Sequence, residues 1–224
     1  MSSGEPSDPE INYFRDLERA FVERRGDPLF ISNADWVFLA KLWKKGVPMR
    51  VVLRGITDAF DAHAHSFARK QKVRSLKFCE TEITAAVDRY RRALHSEGPG
   101  PRGLGAALHG LAERITGGAG SPEVEDARQI AARGVLEVAK AVADDKTFDV
   151  ALGLARIEDG LVEAASRALG PEVVAGFSRD SRGATAAYRS RMPAKVYETL
   201  IEESVRRKIL QRFGLPRLLL SEIE

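Results

Sequence analysis

The stretch SNADWVFLAKLWKKGVPMRVVLRGITDAF, residues 32–60, decides how this chain folds. Ser32 or Asn33 offers a side-chain oxygen to the free N–H groups of a helix start, and Trp36, Leu39 and Trp43 then recur on one helical face. Gly46 closes that helix, and Pro48 sits in the first turn of the next, where no amide hydrogen is needed. Val52, Ile56, Ala59, Phe60 and His63 continue the apolar face. Two helices across a tight Gly46-Val47-Pro48 turn form a helix-turn-helix-like pair.

The residues these faces leave over are basic. Lys41 and Lys45 stack four apart on the first helix, with Lys44 beside them, and Arg50 and Arg54 stack four apart on the second. Further on stand Arg69, Lys70, Lys72, Arg74 and Lys77, in a run from Ser66 to Ser75 and just beyond that reads as an exposed basic loop. Between Lys41 and Lys77 these ten cations meet only two acids, Asp58 and Asp61, a net of +8 in a chain whose net charge is +3. Residues 1–40, with four basic and eight acidic side chains, lean the other way. Such a local excess is the footprint of a surface that meets phosphates, so these ten residues are the candidate nucleic-acid contacts. The turn lacks the Gln, Asn and Ser pattern of base-reading side chains, so contact with the DNA backbone is expected over sequence-specific readout.

Outward from this pair the periodicity remains helical and no stretch alternates with period two, which predicts an all-α fold. Phe14, Leu17 and Phe21 line a first helix ending near Gly26-Asp27-Pro28. A fourth runs from about Cys79 to Leu94, with Ile83, Val87 and Tyr90 inward and Arg89, Arg91 and Arg92 near its end. The domain reading is a polar, acidic leader at 1–10, a basic helical module at 11–97, a Gly/Pro-rich linker with a short helix at 98–122, and a helical bundle at 123–224. Apolar stripes in the bundle run through Val124 to Val142, Val150 to Ala164 and Tyr197 to Phe213. The bundle is the expected site of self-association or of a protein partner. The apolar segment Leu215 to Glu224 follows a helix stop at Gly214 and Pro216, and reads as a clasp over the bundle or a docking peptide.

The residue order Tyr13-Phe14, Leu29 to Ser32, Asp35-Trp36, Leu39, Trp43, Gly46, Val51-Val52-Leu53, Ile56, Ala59, a loop, then Arg74 to Glu80 resembles the DnaD-type helical domain of primosome proteins and phage replisome organisers. The resemblance covers about residues 13–93. Where that family has a Tyr-x-x-x-Ile-x-x-Trp element, this chain aligns Phe78, Glu82 and Ala85. The resemblance implies a non-enzymatic, oligomerising DNA-binding module acting in DNA replication, with no active site.

Other chemistries find less support. Asp61 and His65 share a helix face, but His63 and His65 lie about 200° apart and no third ligand is evident, so no metal is expected. The one cysteine, Cys79, beside Phe78, reads as a small buried apolar residue and fits a reducing cytoplasm. The Gly-rich run at 98–105 lacks the Lys-Ser or Lys-Thr end of a phosphate loop. Acid clusters at Asp144-Asp145, Glu158-Asp159 with Glu163, and Glu202-Glu203 read as solvated helix faces, and Ser178 to Arg191 as an exposed loop with four arginines. No apolar run reaches the roughly 20 residues that span a bilayer, and the polar leader is unlike a signal peptide. The expectation is a cytoplasmic DNA-binding protein that is not an enzyme, uses no cofactor and meets no membrane. The alternative is a helical adaptor for an acidic protein.

Overall fold

All regular structure among the described residues is helical, as the periodicity predicts. The computed structural model describes residues 9–27, 29–66, 72–95, 103–117, 122–145 and 148–222. Nine α-helices lie among them: α1 Pro9–Arg25, α2 Asn33–Lys44, α3 Met49–Ala64, α4 Glu80–His95, α5 Leu104–Thr116, α6 Glu125–Asp144, α7 Val150–Leu169, α8 Pro171–Ala184 and α9 Ala194–Arg212. Short 3-10 turns stand at Leu76–Cys79, Pro122–Val124, Ala186–Tyr188 and Leu220–Glu222. No described helix is long and apolar enough to cross a membrane.

The chain forms two units, Met1–Arg92 with Gly183–Ser204, and Ala93–Arg182 with Val205–Glu224. Residues 1–8 of the expected leader lie outside the described residues, and positions 9 and 10 already belong to α1, with Glu10 buried. Of the expected linker, 98–102 and 118–121 also lie outside. Between them, α5 is core and not connector: Leu104, Leu108, Leu111 and Ile115 are buried against α6.

In the first unit the apolar faces read from the sequence are the buried ones. Phe14, Leu17, Phe21, Trp36, Leu39 and Val52 are fully enclosed. Each such side chain contributes about 2 kcal/mol on burial. Tyr13 packs edge-on against Trp43 at 4.7 Å, and Phe14 lies 6.2 Å from both Trp36 and Trp43. Ser32, not Asn33, caps α2: its Oγ accepts from the Asp35 N–H at 3.2 Å, while Asp35 Oδ2 accepts from the Ser32 N–H at 3.0 Å. Gly46 has φ +62 and permits the turn into α3, whose N-cap is Pro48. Gly55 lets α3 and α4 touch backbone to backbone, since a Cβ there would lie 2.4 Å from Ile83 Cα.

The second unit shows what apolar periodicity alone does not reveal. Glu158, expected on a solvated face, is buried at 2% exposure on α7. Its carboxylate accepts from Arg217 Nε at 3.1 Å, Arg206 Nη2 at 3.2 Å and the Leu218 N–H at 2.6 Å. Leu215, Leu218 and Leu220 are buried in the same core, so the segment after α9 is a clasp pinned by an ion pair. Arg128, also buried, donates from Nε to the Ile115 carbonyl at 2.9 Å and so satisfies a free acceptor at the end of α5. Ser178 to Arg191 is another departure from expectation. It is the end of α8 and a 3-10 turn, with Ser181 and Thr185 fully buried.

Candidate nucleic-acid interface

Helical periodicity buries one face of α2 and α3 and leaves their cations outside. Lys41, Lys44 and Lys45 at the end of α2 are exposed, as are Arg50 and Arg54 on α3. Lys72, Arg74 and Lys77 are exposed too. Arg69 and Lys70 lie outside the described residues.

The segment after residues 67–71 is less free than its composition suggests. Val73 and Leu76 are buried and alternate with the exposed cations. Asp35, at 1% exposure, accepts from Ser75 Oγ at 2.6 Å and from the Leu76 N–H at 2.8 Å. Residues 72–75 are therefore tethered, in contrast to the fully exposed loop expected from the sequence. The physical reason is that a buried carboxylate needs donors, and this segment supplies them. The Arg74 carbonyl accepts from Arg25 Nη1 of α1 at 3.5 Å.

The cations fall into two groups. Lys72, Arg74 and Lys77 flank Ser75 and Leu76, which donate to Asp35 in the first turn of α2. Lys41 to Lys45 lie six to ten residues further along, which is about 9–15 Å at the helical rise. Arg50 belongs with the second group across the turn, its guanidinium 5.2 Å from the Tyr90 ring centroid. Burial raises the Tyr90 hydroxyl above its usual range, against the opposing pull of Arg50.

Packing of α3 beside α4 adds a cation that sequence alone places elsewhere. Asp58 Oδ1 pairs with Arg54 Nε at 2.8 Å, and its Oδ2 pairs with Arg89 Nη2 at 2.8 Å. One carboxylate thus serves two exposed guanidiniums. The other acid of the segment, Asp61, pairs with Arg24 of α1 at 3.4 Å. Both acids set against the ten cations are engaged with arginines. Among the described residues, Lys41, Lys44, Lys45, Lys72, Arg74 and Lys77 enter no ion pair.

The remaining chemistry-bearing residues hold structural places. His65 Nδ1 lies 2.7 Å from the Asp61 carbonyl, and His63 packs edge-on to Phe78 at 5.2 Å between ring centroids. Among the described residues no group of three His, Cys, Asp or Glu side chains converges as a metal would need. Cys79 is fully buried, and burial with the nearby Asp35 carboxylate pushes its thiol up to about 12. Of the arginines near Arg191, Arg191 itself pairs with Glu18 at 2.5 Å and lies over the Phe30 and Tyr188 rings.

Two residues that matter here are not apparent from the sequence. Arg89 reads there as a complement to the helix dipole alone, and Asp35 only as part of a motif. A signal for Asp35 exists in the Ser32-x-x-Asp35 spacing of a capping box, but its second set of partners, 40 and 41 residues away, leaves none.

Fold and surface together define an all-helical protein with an exposed cationic helix pair. A family model described as an uncharacterised protein matches residues 7–97, less than half of the chain and the same region that carries the cations. No curated protein and no solved structure matches this chain.

Proposed function

We propose that the first unit binds nucleic acid through its phosphate backbone, and that the protein acts as a non-enzymatic accessory factor in DNA replication or a related DNA transaction. One observation carries the binding reading: six exposed lysine and arginine side chains at both ends of α2 enter no ion pair among the described residues, while both acids of the segment are held by arginines. Such surface cations exchange counterions for phosphates at little structural cost. The spread of about 9–15 Å along α2 matches an interface with several successive phosphates, since a duplex carries one charge per roughly 1.7 Å of axis. The replication setting rests on the resemblance to the DnaD-type domain.

The experiment is a fluorescence-anisotropy titration of the full chain with short single- and double-stranded DNA at about 50 and about 200 mM salt. Binding should weaken steeply with salt. Replacing Lys41, Lys45, Arg50 and Arg54 by Ala should reduce the log-log slope by about 0.9 for each duplex phosphate that is no longer neutralised. No binding to either DNA at the lower salt overturns the reading, and would leave an acidic protein as the partner to seek.

A further inference from the structure

Among the large apolar side chains that the described residues leave in solvent, two are aromatic: Phe30 at 68% and Phe78 at 47% exposure. Both adjoin the Lys72–Lys77 segment. Phe78 follows Lys77 directly. Phe30 is joined to the segment through Arg25, whose Nη2 donates to the Leu29 carbonyl and whose Nη1 donates to the Arg74 carbonyl at 3.5 Å.

Both rings are fixed in place. Ile31 is buried beside Phe30, the Leu29 N–H donates to Asp27 Oδ1 at 3.1 Å, and Arg191 lies over one face of the Phe30 ring, 4.5 Å from its centroid. The opposite face is left to solvent. Phe78 stands in the 3-10 turn between buried Leu76 and Cys79, its N–H donates to the Ser75 carbonyl at 3.1 Å, and His63 meets the ring edge-on. The carboxylates by Phe30 are engaged, Glu18 with Arg191 and Asp27 with the Leu29 N–H. Beyond Phe78 come Glu80, exposed, and Glu82, half-buried, in the first turn of α4, where the helix dipole offsets their charge.

In a duplex the base faces are covered by their neighbours, so an exposed phenyl ring gains nothing from meeting one. A single strand offers each base as a π-face while its phosphates meet cations. We propose that the first unit binds single-stranded nucleic acid in preference to duplex, with bases stacked on Phe30 and Phe78 and phosphates held by Lys72, Arg74 and Lys77. This rests on the phosphate-binding reading above and adds the class of strand. Stacking tolerates any base, in accord with a turn that lacks base-reading side chains.

The test is fluorescence anisotropy of the full chain with labelled oligothymidine of about 20 nucleotides and with a duplex of about 20 base pairs, at about 50 mM salt. Phe30 and Phe78 are each replaced by Ala, Leu and Trp, and far-UV circular dichroism checks that the helices persist. The wild type should bind the single strand about tenfold more tightly than the duplex. Each Ala or Leu variant should lose about tenfold in single-strand affinity, the effect of one base unstacked from one ring, with duplex affinity unchanged. Phe30→Trp and Phe78→Trp keep an aromatic face and should retain single-strand affinity, with emission quenched by the oligonucleotide beyond any change in the wild type. Equal affinity for single strand and duplex, Ala variants that bind the single strand like wild type, or Leu variants as good as the Trp ones would each overturn this inference and leave the phosphate-binding reading standing. No binding to either form would overturn both.

Discussion

Asp35 accepts a hydrogen bond from the Leu76 N–H at 2.8 Å, across 41 residues of sequence, while the same carboxylate closes the capping box of its own helix. One buried side chain thereby fixes the start of α2 and docks the Lys72–Lys77 segment onto it. Asp35→Ala would leave the Ser75 hydroxyl and the Leu76 and Ser32 N–H groups without their acceptor. We expect a loss of about 3 kcal/mol, measured as a shift in the urea midpoint. Trp36 and Trp43 are the only tryptophans and both lie in this unit, so their fluorescence reports it directly. An unchanged midpoint would show that the link contributes nothing.

Asp58 sits between Arg54 and Arg89 and offsets one of their charges. If the exposed cations bind phosphates, Asp58→Asn should strengthen DNA binding several-fold at low salt and steepen its salt dependence. Weaker binding in this variant would mean that the carboxylate orients the two guanidiniums toward the DNA, and equal binding that neither arginine takes part.

Glu158 gives a pH dependence with a definite sign. Burial alone would raise its carboxyl, but Arg217, the Leu218 N–H and Arg206 together hold it below its usual value. A depressed folded-state value stabilises the fold fully above the unfolded value of about 4.3, and the contribution is lost as pH falls through the folded value. The stability difference between wild type and Glu158→Gln should be constant near neutral pH and shrink below about pH 4. Chemical unfolding followed by far-UV circular dichroism across this range decides it, and parallel acid profiles for the two proteins would contradict it.

Cys79 should be inert in the folded protein. It is fully buried and its thiol is pushed up to about 12, so the thiolate is scarce near neutral pH. A chromogenic disulfide reagent should titrate no thiol under native conditions and one per chain in denaturant. Rapid native reaction would mean that the 76–79 turn opens readily, and with it the tether to Asp35.

The helices of this protein are written in spacings of three and four residues, which is why Phe14, Trp36, Val52 and Ile83 can be placed inside from sequence alone. The number and sign of the charges between Lys41 and Lys77 are equally plain. Glu158 marks the limit: it lies on the Leu154–Leu161 face of α7, a position that helical register assigns to the core, while its charge argues for solvent. Register prevails because Arg217, 59 residues away, brings the opposite charge to it.

Sequence by itself determined the all-helical class, the turn at Gly46 and the excess of cations between Lys41 and Lys77. Tertiary structure alone decided which cations have partners, that Arg89 joins Arg54 on Asp58, that Asp35 gathers the basic segment to α2, and that the segment after α9 is a clasp. The difference is physical. Backbone periodicity follows from neighbours within one helical turn, whereas the fate of a charge depends on what packing brings within a few ångströms from far along the chain, 31 residues away for Arg89 and 59 for Arg217.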